Sequence, residues 1–307
     1  MRTIFFFILL ASFFASTSWA RVIRFGPLPI YKSEIVLQQH KGLFDHLSEK
    51  LGLHFEIVYF TEYTDLIEAI KTQKVDIAHL GPLPYAKLLQ EPSGSRPIVK
   101  FLNEEGGSTY TCSLLSPQDV TFETAIKGPI VLPQPLSTCG LLSVNYLLKK
   151  RDLNLFDLEY YHVKTQSRVA LDLLLGNATL GGARTSVFNQ YAHLGLTKID
   201  STFPLPGFLW VASAALPQAL LQEIQVTLAL LNPTHNPAHA AMMQTWGEEF
   251  RHGAVLASEE NGDRLLFKEN GDRLLFKPNS PFFHTLKPQN PTTSKPRIHC
   301  HQQHPYI

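Results

Sequence analysis

Nine residues, Leu132-Pro133-Gln134-Pro135-Leu136-Ser137-Thr138-Cys139-Gly140, carry the side chains in this 307-residue chain best suited to holding an anion. They join an apolar run, Pro129-Ile130-Val131-Leu132, to a second one from Leu141 to Leu148. The first run reads as a strand and the second as a helix, which Ser137, Thr138 and Cys139 open. The first backbone N–H groups of a helix lack internal partners and lie at the positive end of its dipole. An oxyanion placed there gathers main-chain and hydroxyl donors together. The plainer reading is that Ser137 or Thr138 only caps the helix. No histidine or carboxylate is close in sequence to Cys139 to activate it, so Cys139 is expected as a small helix-opening residue rather than a nucleophile.

The elements that must position this turn read as two similar units. In the first, Val22–Gly26 is a strand, and Leu43, Phe44, Leu47 and Leu51 recur at helical spacing until Gly52. His54 to Tyr59 alternates as a strand, a helix starts at Tyr63-Thr64-Asp65, and Val75 to Leu80 is the next strand, ending in Gly81-Pro82-Leu83-Pro84-Tyr85. After strand-like runs at Ile98 to Leu102 and Thr109 to Leu115, the plan recurs. It comprises Ile130 to Leu132, the turn and its helix, Leu158 to Val163, a helix carrying Val169, Leu171, Leu173 and Leu174, and Ala178 to Ala183. Such alternation predicts an α/β chain with two lobes, each a mostly parallel sheet flanked by helices, with a ligand cleft between them. Lobe one is expected from 21–110 plus 208–259 and lobe two from 111–207. Amphipathic helices, one following Pro217 and one over Ala238 to Phe250, are expected to pack back on lobe one.

A formal charge of +1 gives no case for nucleic acid or an anionic membrane surface as partner. Residues 1–20 read as a cleavable signal peptide: Arg2, an apolar run from Ile4 to Phe14 too short to span a bilayer, and the small-x-small site Ser18-Trp19-Ala20. With no cysteine beside that site to carry a lipid, a periplasmic monomer that is not a lipoprotein is expected. Cys112, Cys139 and Cys300 do not make a disulfide framework. Cys112 and Cys139 can lie on neighbouring segments, but the sequence sets no distance between them; their pairing stays open, with a bridge the less favoured reading.

Residues 260–268 (Glu-Asn-Gly-Asp-Arg-Leu-Leu-Phe-Lys) recur without change as 269–277. One perfect tandem copy is a duplication rather than a solenoid, which needs several stacked units. From 278 to 307 the composition predicts a disordered tail. Its His299, Cys300, His301 and His304 lack a framework, so no metal site is expected there.

Four stretches together resemble the PhnD-like periplasmic receptors of ABC importers for phosphonate, phosphite and phosphate, of the type II periplasmic binding protein fold. They are Phe60 to Ile70, Val75 to Ala86, the turn at Ser137-Thr138-Cys139-Gly140, and Gly176 to Ala183. The match spans roughly residues 22 to 250, and the joint spacing of the motifs is what makes it specific. The resemblance implies that Tyr63 and Tyr85 reach the cleft from lobe one, while Ser137, Thr138 and Cys139 grip an oxyanion from lobe two, Cys139 standing for the family's second serine. The plainer reading of the tyrosines is core packing with a satisfied hydroxyl. Two positions depart from the family pattern: Arg168 stands where a histidine is usual, and Arg184 where an acidic residue suits an ammonium group. As site residues the two arginines would favour a second anionic group or a bare oxyanion; the alternative is that they point to solvent or make interlobe salt bridges. The implied function is binding without catalysis or cofactor, with a small oxyanion as ligand and an inner-membrane ABC permease as partner. A membrane sensor kinase is the alternative partner, and an enzyme using Cys139 the third reading.

Overall fold

The computed structural model describes residues 21–30 and 33–257, and the backbone of 266–269 and 272–275. The signal segment, the tail with its histidines and Cys300, and the remainder of the repeat lie outside the described residues. The two backbone segments, Leu266–Glu269 and Asp272–Leu275, pair antiparallel from Leu266↔Leu275 to Glu269↔Asp272.

Lobe one begins with β1 (Arg21–Gly26), α1 (Ser33–Leu51), β2 (Leu53–Ile57), α2 (Tyr63–Lys71), β3 (Ile77–Leu80), α3 (Pro82–Leu88) and β4 (Arg96–Phe101). Gly52 ends α1 at a φ of +64°, a conformation that glycine adopts without a Cβ penalty. The chain crosses over through β5 (Thr109–Tyr110) and builds lobe two. There it forms β6 (Cys112–Pro117), α4 (Phe122–Ala125), β7 (Ile130–Leu132), a π-helical turn over Thr138–Leu142, α5 (Ser143–Lys149) and β8 (Tyr160–His162). α6 (Gln166–Leu174), β9 (Leu180–Arg184), α7 (Thr185–Tyr191) and β10 (Leu196–Ser201) complete the lobe. β11 (Leu205–Pro206) returns against β5, with Leu205 opposite Tyr110. It leads to β12 (Leu209–Ala212), α8 (Gln218–Ala229), α9 (Pro237–Met243) and β13 (Ala254–Leu256).

The strand order is β13-β4-β12-β3-β1-β2 in lobe one and β10-β6-β9-β7-β8 in lobe two. In each sheet one strand, β1 or β7, has a parallel neighbour on both sides. The strands next to the crossing are antiparallel: β12 to β3 and β4, and β6 to β9 and β10. The mostly parallel expectation therefore holds, because β4 and β10 run with the βαβ strands of their lobes, while β12 and β13 in lobe one and β6 in lobe two run opposite.

The period-2 alternation of β3 splits the lobe-one core into two faces. Ile77 joins Phe25, Phe44 and Trp210, while Ala78 and Leu80 join Leu66, Tyr63 and Tyr85. Lobe two divides in the same way, with Leu132, Val144 and Leu147 on one face and Val131, Val169 and Leu173 on the other. Two local expectations are corrected. The run from Thr109 breaks at Thr111 into hinge strand β5 and lobe strand β6. The helix expected over Ala238 to Phe250 stops at Met243, because the Gly247 N–H turns back to the Gln39 carbonyl at 2.9 Å. A Cβ on Gly247 would stand 2.7 Å from that oxygen, so only glycine allows this approach.

Candidate functional site

The turn after β7 is shaped by local bonds rather than by a regular helix start. Ser137 N–H donates to the Gln134 carbonyl at 2.8 Å, and Gly140 N–H to the Ser137 carbonyl at 3.0 Å. Gly140 lies outside helical geometry (φ −88°, ψ −119°), which separates the turn from α5. The Ser143 hydroxyl ties back to the Thr138 carbonyl at 2.7 Å, and the His162 Nδ1–H bonds the Pro133 carbonyl at 2.5 Å. Ser137 makes no side-chain cap. The capping reading thus fails for it, and Thr138 turns its hydroxyl away from its own helix.

That hydroxyl faces lobe one. Thr138 Oγ1 accepts the Leu83 N–H, at the start of α3, at 3.2 Å, and the Tyr110 side chain of the hinge lies near it. Burial pushes the Tyr110 phenol up to about 12, so it remains a neutral hydrogen-bonding group. Two residues before Thr138, Leu136 is buried within the lobe-one cluster that holds Tyr63 and Tyr85. The two tyrosines are buried in lobe one and share one apolar cluster with the leucine of the turn.

Sequence reasoning missed Gln134 as a site residue. Its Nε2 lies 2.6 Å from the Pro29 carbonyl and 3.2 Å from that of Thr61, both in lobe one, and 3.3 Å from that of Lys164. Its Oε1 is buried with no hydrogen-bond partner among the described residues. The available signal was a lone amide between two prolines, beside the hydroxyls that drew attention instead.

Cys139 needs correction. Its sulfur is bonded to Cys112, with the Cα atoms 5.1 Å apart, and both residues are buried. A half-cystine has no S–H to donate and no thiolate to attack, so neither a thiol grip nor a nucleophile exists at this position.

The two arginines do not act as a pair. Arg168, on the first turn of α6, is half exposed, and its Nε lies 2.7 Å from Asp172 on the same helix. Asp172 also accepts the Tyr161 hydroxyl at 3.1 Å. Burial, together with that bond, pushes the Tyr161 phenol up to about 12. Arg184 crosses between the lobes: its Nη1 is 2.8 Å from Glu249 Oε1, and its guanidinium lies 5.0 Å over the Phe208 ring. Burial alone would raise the Glu249 carboxyl, but the Arg184 charge and hydrogen bond prevail and hold it below the usual range. Arg184 and Glu249 line a cavity of about 420 Å³ with His79, Tyr110, Phe208 and Glu248. The Arg184 charge is thus met within the protein, which removes the ground for expecting it to repel a cationic ligand group.

Residues 25–261 match the family model described as ABC transporter, phosphonate, periplasmic substrate-binding protein. Among solved structures, the chain is similar to a binding protein component of an ABC phosphonate transporter from Pseudomonas aeruginosa (TM-score 0.68, 14% identity, 79% of this chain and 83% of that one). It is also similar to PhnD1 from Prochlorococcus marinus in complex with methylphosphonate (TM-score 0.67, 13% identity, 79% and 95%). A Xanthomonas citri protein bound to chloride ion follows (TM-score 0.63, 15% identity, 78% and 93%). These likenesses give the two-lobed type II periplasmic binding protein fold. With more than half of its length matched by the family model, the chain belongs to the periplasmic phosphonate-binding family of ABC transporter substrate-binding proteins.

Proposed function

We propose that this protein is a periplasmic receptor that captures a phosphorus oxyanion, whether phosphonate, phosphite or phosphate, between its lobes and delivers it to an ABC permease. The observation that carries this reading is the meeting of Thr138 Oγ1 with the Leu83 N–H across the cleft at 3.2 Å. Donors from both lobes converge there, and a ligand drives closure only through contacts it makes better in the closed state than in the open one. Ser137, beside Thr138, adds a second hydroxyl. Tyr63 and Tyr85 are the proposed lobe-one contributors, reached when Leu136 withdraws on opening. Hydroxyl and amide donors can desolvate a tetrahedral anion through charge-assisted hydrogen bonds without a cation for each oxygen. Methylphosphonate bound to the Prochlorococcus relative supports this ligand class. Arg184, at the cavity edge, is assigned to holding the lobes together, and Arg168 is not assigned to the ligand.

Isothermal titration of the mature protein with methylphosphonate, aminoethylphosphonate, phosphite, phosphate and sulfate tests the proposal. Binding is expected for at least one phosphorus oxyanion. Thr138→Val should weaken it by about tenfold or more, the usual cost of one hydrogen bond to a charged group. The absence of both heat and a thermal shift with every one of these anions would sink the reading.

A further inference from the structure

The anion turn is covalently tied to the strand that leaves the hinge. Cys112 opens β6, two residues after the end of β5, and Cys139 lies in the turn between Thr138 and Gly140. Thr202 holds Cys112 from the returning segment: its hydroxyl accepts the Cys112 N–H at 3.0 Å, and its own N–H donates to the Cys112 carbonyl at 2.8 Å. Both crossings of the hinge are therefore registered on one half of the disulfide. The other half sits next to the residue that meets lobe one. The bridge packs in one buried cluster with Leu83 of lobe one, Leu142 of the turn and Leu205 of the hinge.

Side chains and packing also hold the turn, through Gln134, His162 and strand β9, but the disulfide is its covalent tie to the hinge-side strand. Thr138 and Gly140 lie in a π-helical segment kinked at Gly140, and its internal bonds run within residues 134–143. None of those internal bonds fixes the turn relative to the hinge. We propose that the Cys112–Cys139 disulfide is a positioning element for ligand capture. It fixes the height of the Thr138 hydroxyl above the β5–β11 ladder, so that lobe closure brings Leu83 onto it, and it thereby sets oxyanion affinity. This inference rests on the receptor function proposed above.

A disulfide that acts only on the unfolded chain stabilises the protein and leaves the affinity of the folded state unchanged. The two roles therefore separate when Cys112→Ala/Cys139→Ala is compared with the wild type at a temperature where circular dichroism shows both folded. Two readouts apply: titration with methylphosphonate and phosphate, and amide hydrogen exchange across residues 136–142. The expected result is a dissociation constant raised at least about tenfold, equivalent to about 1.4 kcal/mol, with faster exchange in 136–142 and unchanged exchange in β1 and β3. A folded double variant that binds within about twofold of the wild type overturns the proposal. If the double variant does not fold, the wild type reduced by a phosphine reductant is read in the same two ways. If the wild type binds none of the anions, the receptor reading falls, and exchange in 136–142 alone decides whether the bridge positions the turn.

Discussion

The Arg184 guanidinium, at the end of a lobe-two strand, lies 2.8 Å from the Glu249 carboxylate on the C-terminal segment of lobe one. Both side chains are mostly shielded, with 15% and 19% exposure, so the pair is worth more than a surface ion pair and is screened less by salt. It holds the lobes together with no ligand in between. Glu249→Gln keeps the shape but leaves the Arg184 charge over the Phe208 ring without its carboxylate. The expected cost is about 1–3 kcal/mol of lobe–lobe association. Small-angle scattering of the ligand-free variant should give a larger radius of gyration than the wild type, and the ligand affinity should fall. An unchanged radius with unchanged affinity would show that the pair does not contribute to closure.

The two-lobed plan could be read from the chain because it is written in local periodicity. The apolar spacing of Leu43, Phe44 and Leu47 and the Gly52 stop correspond to α1, and Ile130 to Leu132 is a three-residue strand as expected. What the sequence did not carry was distance between remote segments. Cys112 and Cys139 are separated by 27 positions, and only the pairing of β6 with β9, together with the packing of the turn on β9, brings them together. The partners of Arg184 and Arg168 were hidden for related reasons. Glu249 lies 65 residues from Arg184, whereas Asp172 is the ordinary i,i+4 neighbour of Arg168. Gln134 was overlooked because an amide has no diagnostic pattern in sequence; its importance comes from the Pro29 and Thr61 carbonyls that the fold brings to it.

Two buried histidines in lobe one make its stability depend on pH. His40 donates Nδ1–H to the Val36 carbonyl at 2.8 Å and packs at a tilt against Phe250, and His79 packs between Phe101 and Phe250. Burial pulls His40 down to about 4 and His79 down to about 3, so both are neutral in the folded protein. In the unfolded chain each takes up a proton near pH 6.5. Their stabilising contribution is therefore complete above about pH 6.5 and falls as the pH drops toward 4, by about 1.4 kcal/mol per pH unit for each histidine. Urea unfolding between pH 7.5 and 4.5 should show this decline, and His40→Leu should reduce its slope by about half. A flat profile over that interval would contradict the burial of neutral histidines.

Gly182, in the Gly-Gly-Ala segment of β9, sets how closely the turn after β7 can pack on the lobe-two sheet. It lies beneath the Thr138–Leu142 turn, where an added Cβ would come within 2.5 Å of the Cys139 carbonyl and would also collide with the Val144 side chain. The carbonyl belongs to backbone that the disulfide and the Gly140 kink already constrain, so it cannot step aside as a flexible side chain could. Gly182→Ala must therefore lift the turn off β9, at a cost of about 1–3 kcal/mol for overpacking. Because the displaced carbonyl belongs to Cys139, the residue after Thr138, the proposed site predicts a loss of oxyanion affinity as well as of thermal stability. In a Gly128→Ala control the nearest atoms all belong to the Thr179 side chain. That variant should lower the melting temperature without a comparable loss of binding. Equal effects of the two substitutions on affinity would mean that the turn tolerates displacement, and that its position does not determine how the anion is held.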